Sequence, residues 1–242
     1  MSSSPNAQTV PTLLISRDGK TIQYGRIPLA DFLDSSKWDL SPISKSLGLP
    51  LKANGNASDL STASNKDEHI YANAFFINYD PYSSGFGKPV RAPYVGEHVI
   101  LARCDGLPID DMVVTAMHGH FTALTCDGKC GSKYVCKCPG DSALSKKAIA
   151  NACTKKTFSA MLDQALGMMA TMPGVGKIEN PLNEKEQEGA MPFCGGCGMA
   201  RKEDGGELMK CAKCSKAVYC GRKCQKGEWR EHKTVCKEEE KA

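Results

Sequence analysis

Nothing in the chain approaches the roughly 20 consecutive apolar residues that a membrane-spanning helix needs. The opening MSSSPNAQTVPTLLIS also has no basic segment ahead of an apolar run of signal-peptide length. Secretion and membrane insertion are therefore not expected. Strong charge of one sign is missing too: 31 Lys and Arg against 27 Asp and Glu leave +4, below the footprint of a dedicated nucleic-acid binder. Catalytic signatures are scarce. No G-x-S-x-G elbow occurs. Ser84-Gly85-Phe86-Gly87-Lys88 puts glycines near a lysine without the full spacing of a phosphate-binding loop, so it reads as a turn. Glu68-His69 and Glu97-His98 are acid–imidazole pairs, but adjacent residues point apart on a strand, so they read as packed or solvated side chains. No internal repeat of 20 to 50 residues supports a solenoid or propeller.

Cysteine is what the chain has in quantity, 13 in 242 residues. Without an export signal, such usage points to a reducing intracellular compartment, nucleus or cytoplasm, where clustered thiols hold metal more often than they pair as disulfides.

The rest of the chain reads as α+β, a small antiparallel sheet with covering helices. Residues 1–10 are expected to be disordered and 11–172 to form the α+β domain. Residues 12–28 read as a hairpin: the apolar run Thr12 to Ser16, a turn at Asp18-Gly19, and Thr21 to Ile27, rich in β-formers. Leu29 to Leu47 has helical spacing broken by Pro42, which predicts one or two short helices. Residues 53–68 contain a single large apolar side chain, Leu60, too little burial to offset ordering entropy, so a mobile loop is expected. Ile70 to Tyr79 and Gly96 to Cys104 read as strands, the second followed by an Asp105-Gly106 turn. Asp110 or Asp111 can cap a helix through about Leu124, and Ser142 a longer one through about Met169. Residues 173–192, rich in Gly, Pro and charge, read as a linker, 193–237 as a separate cysteine-rich unit and 238–242 as a charged tail.

From Cys194 the pattern is C-x2-C, thirteen residues, then C-x2-C-x5-C-x3-C-x7-H-x3-C, ending at Cys236. Zinc takes four such donors tetrahedrally, and a two-residue spacer lets both thiolates of a knuckle reach one ion. Cys194, Cys197, Cys211, Cys214, Cys220, Cys224, His232 and Cys236 therefore make two sites. His232 and Cys236 stand four apart, on one face of a helix, and can share an ion. A segment this short cannot stabilise itself by apolar burial, so it needs the metal. With every coordination position filled by protein, the sites are structural rather than catalytic. Knuckle geometry allows either a sequential split or an interleaved pairing.

This spacing, with Val218-Tyr219 ahead of Cys220 and Cys224-Gln225-x3-Trp229-x2-His232 after it, resembles the MYND zinc-finger family over Phe193 to Cys236. The resemblance implies interleaving: Cys194, Cys197, Cys220 and Cys224 on one zinc, Cys211, Cys214, His232 and Cys236 on the other. It also implies a module that docks short proline-containing peptides along a strand edge at Lys216 to Tyr219, beside an apolar groove. Gln225 and Trp229 match the groove positions, and Tyr219, at the end of that strand edge, is counted with them as peptide-binding. One departure stands at Ala212, where some members carry a hydroxyl residue that contacts the peptide. With seven thiolates and two Zn²⁺ included, residues 194–242 carry a net charge of +1, so protein suits them better as a ligand than nucleic acid.

These features imply a zinc-binding protein–protein interaction module, a regulatory or transcriptional adaptor, and not an enzyme. The rival is an unrecognised catalytic domain in residues 1–172. A SET-type lysine methyltransferase is disfavoured, because no Asn-His pair of that active site is present and the finger is not inserted between flanking catalytic segments. Cys126, Cys130, Cys136 and Cys138, with His118 and His120 nearby, offer a third metal site, but free thiols are the commoner outcome for that spacing. Lys146, Lys147, Lys155 and Lys156 read as the wet face of a helix.

Overall fold

The computed structural model describes residues 8–17, 19–55, 69–78, 80, 83–86, 88–92, 94–125, 146–171, 179–183 and 189–238. The four cysteines between 126 and 138 lie outside these described residues, as do most of the expected loop at 53–68 and the tail beyond 238.

The β-formers on either side of the turn produce the expected hairpin, β1 (Thr9–Ser16) and β2 (Ile22–Pro28), with Leu13 opposite Tyr24. Two short helices follow, α1 (Leu29–Leu33) and, after β3 (Asp39–Leu40), α2 (Pro42–Ser46). Pro42 occupies the first turn of α2, and the Ser41 hydroxyl oxygen accepts from the Ser44 N–H at 3.1 Å, so the residue that interrupts the helical pattern starts a helix. β4 (Leu51–Gly55) runs into the segment expected to be a loop, because Ala53 pairs with Leu101 of β5 (His98–Arg103). The strand order is β2-β1-β5-β4-β3, with every neighbouring pair antiparallel.

Ile70 to Tyr79 does not form the expected strand. It opens with a helical turn, α3 (Ile70–Ala74), because the buried His69 caps it: imidazole Nδ1 accepts from the Ala72 N–H at 3.0 Å, and Nε2 lies 3.0 Å from the Ile15 carbonyl. Asp110 caps α4 (Asp111–Thr125), accepting from Met112 N–H at 2.8 Å. The single helix expected from Ser142 is two, α5 (Lys146–Ala152) and α6 (Lys155–Met169). Thr154 is extended between them and caps the second through the Thr157 N–H.

The period of two along the strands divides the sheet's side chains between two cores. Leu13, Ile15, Leu51, Ala53, Val99 and Leu101 face the helical side, under Ile43, Phe75, Val114, Met117, Phe158 and Leu162. Val10 and Ala102 face the other way, where α1 and Trp38 supply the cover together with Met191, Met199 and Ala200 from the cysteine-rich end. The stretch expected as a linker is anchored where it is described. Asn180 donates to the Ser159 carbonyl and to Asp163 Oδ1 (3.2 and 2.9 Å), Leu182 is buried in the main core, and the Met191 N–H donates to the Asp105 carbonyl at 2.8 Å. Among the described residues no helix is long and apolar enough to cross a membrane.

Candidate metal centre

Two tight turns and a helix build the site. In the first turn the Gly198 N–H donates to the Cys194 carbonyl and the Cys194 N–H to that of Met199, both at 2.8 Å. In the second, the Ser215 N–H donates to the Cys211 carbonyl at 2.9 Å, with Ser215 in the left-handed region at φ 58°. A two-stranded ribbon, β6 (Met209–Lys210) with β7 (Val218–Tyr219), leads into α7 (Arg222–Glu238). Gly196 lets the first turn sit on the start of that helix: a Cβ there would meet the Cβ of Cys224 at 2.7 Å.

The structure brings all eight expected ligands together in two groups. Cys194, Cys197, Cys220 and Cys224 form one, and Cys211, Cys214, His232 and Cys236 the other, with the donor atoms of each group within 4.8 Å of one another. Interleaving thus follows from the fold. In the first group Cys220 Sγ lies 3.7, 3.5 and 3.4 Å from the sulfurs of Cys194, Cys197 and Cys224. In the second, His232 Nε2 lies 3.5 and 3.3 Å from the sulfurs of Cys214 and Cys211. A tetrahedron with Zn–S near 2.3 Å has edges of about 3.8 Å, slightly shorter where nitrogen replaces sulfur, so the donor sets fit zinc. The separations are far beyond the roughly 2.05 Å of a disulfide, and these cysteines are free thiols.

Crowding makes the donor sets electrostatically incomplete without a cation. The hydrogen bond between the first two thiols pushes Cys194 down to about 4 and Cys197 up, so the pair gives up one proton readily and holds the other between them. A divalent ion releases every proton and neutralises the thiolates. The two groups therefore constitute two zinc sites. Four protein donors fill each tetrahedron, so the metal's role is to hold the turns in place.

Around the sites, the expected groove residues separate. Trp229 is 43% exposed, with its ring 5.9 Å from that of the ligand His232, so it is not the core of the finger. Gln225 lies one turn before it and is partly exposed. Tyr219 is corrected: at 1% exposure, packed edge-on to His232 at 6.0 Å, it fills the interior between the sites and has no side-chain surface for a peptide. The strand edge at Lys216 to Tyr219 is also partly used, because the Val218 carbonyl accepts the Gly195 N–H at 2.9 Å. The exposed strand of the ribbon is β6, with both Met209 and Lys210 at the surface.

Of the other candidates, His118 is stacked on Tyr71 at 4.0 Å with its imidazole pushed down to about 4 by burial, and His120 Nε2 lies 3.0 Å from the Ala152 carbonyl. Both belong to the helical core. His69 is the cap of α3, and Glu97 pairs with Arg17 at 3.2 Å. Lys147, Lys155 and Lys156 are exposed on their helices. Sequence reasoning missed the contacts that Met191, Met199 and Glu228 make with the sheet domain.

Two interleaved, closed Cys/His tetrahedra on a ribbon and a helix define a small structural zinc module. Residues 194–236 are a MYND finger, matched by the family of that description over this range. Over 55 residues the chain is 44% identical to the N-lysine methyltransferase SMYD2-A of Xenopus laevis, a match to the finger that covers 23% of this chain and 11% of that protein. No solved structure matches the chain.

Proposed function

We propose that the chain is an adaptor whose finger captures short proline-containing peptides, with Trp229 and Gln225 of α7 as the contact residues. A MYND finger is a protein-interaction module. The observation that carries the finer reading is the exposure of Trp229 above a rigid metal site. Large aromatics on such scaffolds supply contact area with little loss of conformational freedom, and a proline ring stacks on an indole face at low entropic cost. Gln225, four residues earlier on the same helix face, supplies an amide for the peptide backbone. On this reading the chain works inside the cell and performs no reaction of its own. The likeness to a lysine methyltransferase supports the finger reading and not methyl transfer, since it spans only the finger.

The test is titration of the full chain with a panel of fluorescent proline-containing peptides and their alanine counterparts, with zinc content measured in parallel. Binding confined to proline-containing peptides, and lost in Gln225→Ala/Trp229→Ala at unchanged zinc, is the expected result. Equal binding by the double variant removes this groove from the reading.

A further inference from the structure

We propose that the first zinc turn is a metal-dependent cover over the second face of the five-stranded sheet. Loss of zinc uncovers Cys104 and the cluster around Trp38 while the main helical core stays closed.

Three contacts place the cover. Gly198, the residue after the ligand Cys197, has φ +74° and lies so close to the sheet domain that a Cβ would come within 2.9 Å of both Cys104 Sγ and Leu40 Cδ1. Met191, Met199 and Ala200 pack against Val10, Phe32, Trp38 and Ala102, completing a core that α1 alone leaves open. Lys45 of α2 pairs with Glu228 of α7, fastening the finger's helix to the sheet domain.

The shape of the turn depends on the metal. The turn from Cys194 to Gly198 is closed by two backbone hydrogen bonds and carries no large apolar side chain, so the energy that shapes it, and with it the seating of Met199 and Ala200, is chiefly that of zinc binding. What zinc fixes is the segment that seals Cys104, which is 0% exposed. The other core does not rely on it. Its strands and helices come from residues 13–182, and Cys153, 4% exposed, sits there with no finger residue in its cluster. Burial pushes both thiols up to about 12, so both are inert while covered. The two cysteines thus report separately on the two faces of one sheet.

The experiment is native-state alkylation of the full chain with N-ethylmaleimide in a phosphine reductant, before and after zinc is stripped by a chelator, with each cysteine quantified by peptide mass spectrometry. Stripping is expected to raise Cys104 labelling by roughly tenfold or more through local opening, leave Cys153 unchanged, and be reversed by added zinc. Continued protection of Cys104 overturns the proposal, and so does simultaneous labelling of Cys153, which would mean that the two cores open as one. A second arm uses Gly198→Val, which drives a branched side chain into Cys104 and Leu40. Labelling of Cys104 alone, with zinc still at two per chain, is expected. Cys104 protected as in the parent chain, or Cys153 exposed with it, overturns the proposal.

Discussion

Lys45 and Glu228, 183 residues apart in sequence, form an ion pair with side chains only 23% and 17% exposed, joining the sheet domain to the helix of the finger. Burial raises the Glu228 carboxyl above the ordinary range and Lys45 opposes that rise, so the carboxylate depends on its partner to stay charged. Lys45→Met strands a half-buried carboxylate and is expected to cost about 1–3 kcal/mol. Adding Glu228→Leu should recover part of that loss, with a coupling on the order of 1 kcal/mol in a double-mutant cycle. Urea denaturation of the four proteins checks it. An unchanged midpoint for Lys45→Met would show that the pair contributes nothing.

Lys52 is 1% exposed at the centre of the second core. Its ammonium donates to the Phe32 carbonyl at 2.6 Å and sits 3.3 Å from the Phe32 ring centroid and 4.9 Å from that of Trp38. The rings and the carbonyl replace only part of the lost hydration, and burial lowers the amine to about 8. A folded-state value below the unfolded one means that the native state gains protons less readily. Stability is then fully present above the unfolded value near 10.5 and declines as pH falls through about 8. Lys52→Met, similar in volume and uncharged, is therefore expected to stabilise the protein at pH 7 by roughly 1–3 kcal/mol. The gain should shrink by pH 9.5, as followed by Trp38 fluorescence in urea. A destabilised Lys52→Met at pH 7 would mean that the aromatic contacts outweigh desolvation.

How much of this was legible depended on whether the signal was local. The ligands at 194–236 could be read because their spacing is itself the geometry: two residues between thiols is the reach of one ion. The start of α4 could be read because Asp110 acts within one turn, whereas Pro42, read as an interruption, opens α2. The pairing of ligands could not, because both pairings satisfy the same spacers and only the packing of β7 and α7 chooses between them. The segment after His69 misled for a related reason. Its β-formers are consistent with a strand, but the cap that makes it helical requires His69 to be held by Ile15, a tertiary contact 54 residues away. Tyr219 was misread because an aromatic beside a ligand has the same local appearance whether it points in or out.

His118 predicts an acid dependence. Buried against Tyr71, with its imidazole pushed down to about 4 by desolvation, it is neutral in the folded chain well below the pH at which an unfolded histidine protonates. A depressed folded value gives stability that is complete above about 6.5 and lost as pH falls toward 4. Its share of the loss is at most roughly 3 kcal/mol. His69 is lowered in the same direction, chiefly by burial, and adds to the slope. Protonation of the zinc ligands also destabilises at low pH, so the informative quantity is the difference between the parent chain and His118→Phe, which keeps the stacked ring and cannot titrate. That difference should move in favour of the phenylalanine variant between pH 7 and 5 in denaturant titrations. A constant difference would place the acid sensitivity elsewhere.

The interleaved arrangement of donors gives the sharpest test of the finger. Cys220 lies within 3.7 Å of Cys194 although 26 residues follow from one to the other, and His232 lies within 3.5 Å of Cys214. With cadmium in place of zinc, the full chain should show two ¹¹³Cd resonances, one shifted as expected for four sulfurs and one for three sulfurs and a nitrogen. Cys220→Ser and Cys194→Ser should then alter the same four-sulfur signal, leaving the mixed one in place, while Cys214→Ser alters the mixed signal. A sequential arrangement has a different outcome: Cys194 would share its ion with Cys211 and Cys214, and Cys220 with His232. Loss of the nitrogen-ligated signal in Cys220→Ser would therefore overturn the pairing. Each single replacement is expected to lower bound metal from two to about one, because a tetrahedral site that loses one of its four donors gives up much of the binding energy that folds it.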